Sequence, residues 1–218
     1  MGISFAPEHR LLLSVKVEPT VTQVVDKIVE ETLRVCSKTS LPIFVSDGQD
    51  SYGQALLTKL CIIETFPPTG RRGRPRIPKV LPSPNLHYAQ VVKERYGYRV
   101  VSITKKVIFG QVDDSQISTS LLERQNLNFR HDNRRLTRKT IAFSKKDQDL
   151  VYQLNFYKAY HNFARPHRGL RKAINEKVIG KVTRKWRKVT PAMSAGISEH
   201  AWSLRQLMTY QVSPINRQ

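Results

Sequence analysis

Two carboxylates, Asp47 and Glu123, stand 76 residues apart in surroundings that single them out. Asp47 follows the apolar run Leu41-Pro42-Ile43-Phe44-Val45-Ser46 and precedes Gly48. Glu123 opens a basic, helix-like run in which Asn126, Arg130, Arg134 and Thr137 follow at offsets of three, seven, eleven and fourteen, near one line along a helix. Such carboxylates suit Mg2+ or Mn2+, hard cations that take a few carboxylate oxygens and keep places for water and phosphate oxygens. Two such ions activate the attacking oxygen and stabilise the leaving oxygen of an in-line phosphoryl displacement. Each acid also has a plain structural reading. Asp-Gly is a common turn dipeptide, and Glu123, three residues after Ser120, fits a capping box.

The rest of the composition turns the question toward a polyanion. The chain has 37 Lys+Arg against 17 Asp+Glu, a formal charge of +20 on 218 residues. Residues 1–65 carry a net −2, residues 66–120 a net +7 and residues 121–218 a net +15, so the positive charge begins with the middle segment. No apolar run is long enough to span a bilayer, and no signal-peptide order opens the chain. A soluble, cytoplasmic protein is expected, nucleoid-associated if its polyanion is DNA. Cys36 and Cys61 lack metal or redox spacing and read as buried thiols.

The elements that must position the acids form an α/β pattern. Residues 3–6 and 11–17 read as a strand pair broken at Pro7-Glu8-His9-Arg10. Val21, Val24, Val25, Ile28, Val29 and Leu33 then recur at helical spacing. The run 41–46 reads as a strand buried on both faces, so Asp47 stands at a strand end, where open α/β sheets collect ligands if the sheet is parallel there. A helix over 52–60 and a strand over 61–65 follow. Residues 66–87 form a basic Pro-rich insertion, with six of the twelve prolines between 67 and 85, and are read as extended. Strand-like segments over 88–94 and 98–109 precede a helix that starts near Ser120 and runs to Thr140 or beyond. Residues 1–146 thus make one domain. A helical extension over 147–218 has an aromatic helix at 150–164, a basic linker at 171–188, an N-cap at Thr190-Pro191 and a last short helix that buries Trp202, Leu204, Leu207 and Met208.

Taken together, Val45-Ser46-Asp47-Gly48, Ser118-Thr119-Ser120-Leu121-Leu122-Glu123-Arg124-Gln125-Asn126-Leu127 and Arg135-Leu136-Thr137-Arg138-Lys139-Thr140 resemble the DDE-type transposases of small prokaryotic insertion sequences, the group named after insertion sequence one. Tyr160-His161-Asn162-Phe163-Ala164-Arg165-Pro166-His167-Arg168-Gly169 and Thr190-Pro191-Ala192-Met193 look like that family's closing motifs, so the resemblance covers nearly the whole chain. It implies a ribonuclease-H-like fold, a mixed sheet with flanking helices, in which three acids bind two magnesium (or manganese) ions. It also implies DNA partners, both element ends and target, and a homo-oligomer. Asp47 becomes the second acid and Glu123 the third, both catalytic and metal-binding. Arg130 becomes a basic residue near the metals, with Asn126, Arg134, Arg138 and Lys139 as further DNA contacts. The first acid, on the first strand, has no counterpart ahead of Glu8, so the chain reads as N-terminally truncated and inactive alone.

Other features weigh less. Arg72-Gly73-Arg74-Pro75 resembles the AT-hook, although a phosphate-contacting loop in which Arg72 and Arg74 touch DNA is the plainer reading. His161 and His167 lack a third ligand and read as structural. Tyr157, Tyr160 and Phe163 read as packing. The rival to a transposase is a non-catalytic basic nucleic-acid-binding protein, with Asp47 a turn and Glu123 a cap. A ribosome-associated or assembly domain comes third.

Overall fold

The computed structural model describes residues 1–37, 40–67, 76–137, 139–174 and 186–211. It divides the chain into two compact units: Glu18–Leu127 in one, Ile3–Val17 with Asn128–Gln218 in the other.

The first of these is mixed α/β. Helix α1 (Val21–Val35) starts at Thr20, whose hydroxyl accepts the Gln23 N–H at 3.4 Å, and buries Val24, Val25, Ile28, Val29 and Thr32. Val21 sits in the first turn and stays exposed, although the helical stripe includes it. Numbering the strands along the whole chain, β3 (Phe44–Asp47), β6 (Tyr88–Tyr96) and β7 (Arg99–Phe109) form a three-stranded mixed sheet in the order β3-β6-β7. Strand β3 is parallel to β6, and β6 is antiparallel to β7. Helix α2 (Ser51–Lys59) follows β3. Val25 and Val29 of α1, Ala55 and Leu56 of α2, Leu86 and Tyr88 make one core cluster. Ala89, Val91 and Ile117 make a second, with Val45 packed on it. Alternation along β6 therefore separates an even-numbered face under α1 and α2 from an odd-numbered face under the segment leading into α3 (Ser120–Asp132).

Three expectations fail here for identifiable reasons. Strand β3 is shorter than the expected run 41–46: it begins at Phe44, Pro42 and Ile43 ahead of it are exposed, and among the described residues it pairs on one side only, although Phe44 and Val45 pack on opposite faces. The stretch 67–85, expected to be extended and without a core, contains a paired strand: β5 (Lys79–Pro82) runs antiparallel to β4 (Cys61–Glu64), and Leu86 just after it is only 1% exposed. Val80 and Leu81 suffice for a short ladder against Ile63 and Ile62, and the Ser83 N–H closes onto the Leu60 carbonyl at 2.9 Å. Arg72 and Arg74 lie outside the described residues. Finally, Cys36 and Cys61 are free but half-buried, because each sits at the end of a helix.

In the other unit, β1 (Gly2–Ala6) and β2 (Leu11–Lys16) pair across a turn that Arg10 closes at φ 55°. Helix α4 (Asp147–Ala159) runs into a π-helical turn at Tyr160–Ala164, in which the Arg165 N–H reaches the Tyr160 carbonyl at 2.9 Å. Asn162, on that turn, grips β2: its Oδ1 accepts the Leu12 N–H at 3.0 Å and its Nδ2 donates to the Leu12 carbonyl at 2.8 Å. Phe129 packs on Tyr157 with ring centroids 4.6 Å apart, and Tyr157 donates to Asp132, which also pairs with Arg165. Phe163 packs on Trp202. Phe156 is half-exposed, as are Leu204 and, more so, Met208 on α6 (Leu204–Thr209), whose single turn and a half offers too little surface to bury them. The N-cap at Thr190 is as expected, its hydroxyl accepting the Met193 N–H at 3.2 Å ahead of α5 (Pro191–Ser194). The linker's flanks pair as β8 (Lys172–Ala173) and β9 (Trp186–Arg187).

His161 Nε2 bonds the Arg10 carbonyl at 3.0 Å, and His167 accepts the Gly169 N–H at 3.1 Å. Burial lowers the pKa of both, against the Arg10 carbonyl and Asp132 in the case of His161 and together with Arg165 for each. A histidine held neutral by the fold takes up its proton more readily when unfolded. Its stabilising effect is complete above its unfolded pKa, about 6.5, and is lost as pH falls through that value toward the lowered folded one. Thermal melts between pH 7.5 and 5 should therefore show falling stability on acidification, and His161→Gln should flatten that slope. An unchanged slope in the variant would remove His161 from the account.

Candidate functional site

Both carboxylates border the three-stranded sheet beside β6. Asp47 ends β3 in register with Val91 of β6, and Val45, two residues earlier, packs into the Ala89–Val91–Ile117 cluster. The adjacent Gly48 lies against Val92, on the opposite face. Strand alternation then puts Asp47 on the side of Val91 and, one step further along β6, of Lys93. Lys93 forms an ion pair with Glu123 Oε1. Asp47 and Glu123 are thus both tied to β6, Asp47 by strand register and Glu123 through Lys93, while burial and, with it, the Asp47 charge raise the pKa of Tyr52 and Tyr88 on the α1–α2 side. Both are exposed.

Local structure explains how Glu123 is aimed. Thr119 is buried, its carbonyl accepts the Glu123 N–H at 2.9 Å, and its hydroxyl donates to Glu123 Oε1 at 2.8 Å. Ser120 is the first residue of α3 and not its cap, so the capping box expected between Ser120 and Glu123 does not form. The Lys93 hydrogen bond lowers the Glu123 pKa, burial opposes it, and Thr119 and the charges of Lys93 and Arg95 lower it further. At neutral pH Glu123 is a carboxylate with two cations close by. Replacing Lys93 by Met should bring the Glu123 pKa back up toward the ordinary carboxylate range, readable by NMR titration of its side-chain carboxyl. No change would mean that the ion pair is absent in solution.

The arginine stripe survives only in part. Asn126 and Arg130 follow Glu123 on α3, Asn126 half-buried and Arg130 exposed. The helix then stops at Asp132 and does not reach Thr140: Asn133 turns extended at φ −119°, ψ 101°, and its side chain donates back to the Phe129 carbonyl at 3.0 Å. Arg134 lies on a separate 3-10 turn (Arg134–Leu136), so the single line from Glu123 to Thr137 is broken. Lys139 is exposed at φ 55°, and Arg138 lies outside the described residues.

No family model, no curated protein and no solved structure matches the chain.

Lys93 and Arg95 are the members of this site that sequence reasoning missed. Their only signal was polarity at alternate positions of a strand, because the pairing with Glu123 spans 30 residues. As donors, Asp47 and Glu123 are hard carboxylate oxygens of the kind a magnesium-class ion takes, and the Lys93 ammonium already holds positive charge against Glu123. A divalent ion at Glu123 would compete with Lys93 for its carboxylate. Among the described residues no group of three or more His, Cys, Asp or Glu is placed to hold a metal. Nor is any helix among them long and apolar enough to cross a membrane.

Proposed function

We propose that the chain acts on DNA as a DDE-type transposase, or as part of one, with Asp47 and Glu123 as two of its metal-binding carboxylates. The observation that supports this reading is the place of both acids beside β6: Asp47 ends parallel β3 in register with Val91, and Glu123 pairs with Lys93. The +20 charge supplies the affinity for DNA. The mixed sheet with flanking helices is compatible with a ribonuclease-H-like core. A bound divalent cation would polarise a phosphodiester and activate the attacking oxygen. The chain's own residues do the rest: Asp47 and Glu123 hold it, Lys93 and Arg95 neutralise the site before it binds, and Arg130 and Asn126 meet the DNA backbone. Element ends, target DNA and further copies of the chain are its partners.

Two carboxylates are one short of the family's set, so the reading expects little chemistry from them alone. A strand-cleavage and strand-transfer assay with Mg2+ or Mn2+ should give no product above the level of Glu123→Gln. Robust metal-dependent cleavage by this chain would contradict it.

One observation favours the rival, a non-catalytic DNA-binding protein: Lys93 and Thr119 both engage Glu123 Oε1, a sufficient structural role for that acid. On that reading Glu123→Gln lowers the melting temperature and leaves the protein's response to Mn2+ unchanged.

A further inference from the structure

Beyond Val91, among the described residues, β6 pairs as a strand with β7 alone. Strand β3 pairs with β6 from Tyr88 to Val91 alone, whereas the β6–β7 ladder continues through Lys93↔Ile103, Glu94↔Ser102 and Arg95↔Val100 to Tyr96↔Arg99. At about 3.4 Å per residue this is a free two-stranded ribbon roughly 17 Å long. Gly97 and Tyr98 close it, with Gly97 at φ +60° and open space around it, the glycine-first geometry that two-residue hairpin turns favour. A register shift at Glu94/Arg95 adds local twist.

The ribbon's surface is unusual for a strand pair that faces water. Every residue from Glu94 to Val101 is exposed. Tyr98 is 102% exposed, Tyr96 85%, Val101 68% and Ile103 60%. An isolated hairpin is marginal in water and gains nothing from uncovered rings and branched side chains, so this surface is built for a partner. Charge identifies it. Arg95, Arg99 and, at the base, Lys106 are exposed against the single acid Glu94.

We propose that the β6–β7 ribbon docks in a groove of duplex DNA, with Arg95 and Arg99 on phosphates and Tyr96 and Tyr98 against sugars and base edges. This deepens the reading of the chain as a DNA-acting protein and rests on it. The B-form major groove, about 12 Å wide, admits a two-stranded ribbon, whereas the deep, narrow major groove of A-form RNA does not. Arg95 also lies close enough to Glu123 to lower its pKa. A duplex held by the ribbon is thereby held beside Glu123.

The test is fluorescence anisotropy of the full chain with a labelled mixed-sequence duplex, across a salt series, for wild type, Arg95→Ala/Arg99→Ala, Tyr96→Ser/Tyr98→Ser and Arg130→Ala/Arg134→Ala. All the ribbon substitutions are at exposed positions, and circular dichroism melts check that each variant folds. The arginine pair should weaken binding about tenfold or more and reduce the salt slope by about two. The tyrosine pair should weaken binding with the slope unchanged. If wild type does not bind duplex DNA, this inference falls together with the DNA-acting reading. If wild type binds, and Arg130→Ala/Arg134→Ala weakens it while both ribbon variants bind as wild type, the ribbon proposal alone is overturned. Ribbon variants that alter the oligomeric state by sedimentation but not DNA affinity would assign the surface to a second copy of the chain and overturn it likewise.

Discussion

Phe129→Ala is expected to cost about 3–5 kcal/mol of stability, the range for a large aromatic removed from a closed core. The ring is 0% exposed and packs on Tyr157 at 4.6 Å between centroids, tilted by 60°. That edge-to-face geometry adds about 0.5–1.5 kcal/mol to the burial itself. Tyr157 in turn donates to Asp132, which pairs with Arg165, so a void at Phe129 loosens a polar network as well as an apolar contact. Domains of ordinary stability hold only about 5–15 kcal/mol in total, and the loss corresponds to about two to four powers of ten in the folding equilibrium. Chemical denaturation should show it as a large fall in midpoint, with Phe129→Leu between the two. A fall no larger than an exposed substitution would produce, such as Phe143→Ala, would mean that Phe129 is not buried in solution.

The affinity for DNA should collapse with salt. If the basic surface makes about six to ten phosphate contacts, binding weakens by roughly 10³–10⁵ between 50 and 200 mM monovalent salt, because each contact releases a condensed counterion. The charge is distributed for this: residues 66–120 and 121–218 carry net +7 and +15, and residues 1–65 carry −2. Arg130, Arg134 and Lys139 are all exposed. Anisotropy titrations over that range read the slope directly. A nearly flat dependence would show that the positive charge serves something other than a nucleic-acid backbone.

How much of this was legible in the sequence differs by element. Periodicity carried α1 and the β1–β2 pair to within a residue or two, because their apolar spacing is regular and bounded by Pro7 and Pro19. Asp47 at a strand end was readable from a short apolar run stopping at Asp-Gly, whereas the parallel pairing with β6 was not, because it depends on a partner 44 residues away in register. The end of α3 was not readable. Arg130 to Thr140 keeps helical spacing, yet the helix stops where Asn133 turns extended and its side chain returns to the Phe129 carbonyl. Lys93 was invisible as a site residue since nothing local links it to Glu123. Proline content nearby hid Leu86, which is buried against Val25, Val29, Ala55, Leu56 and Tyr88.

The carboxylate site is the centre of the account, and Mn2+ binding to the full chain, read by the loss of the free-ion electron paramagnetic resonance signal, tests it most directly. The account predicts saturable binding that Asp47→Asn and Glu123→Gln each abolish without unfolding the protein, and that Lys93→Met strengthens by removing the competing ammonium. Binding that is unchanged in both carboxylate variants, or absent from wild type and Lys93→Met alike, would contradict it.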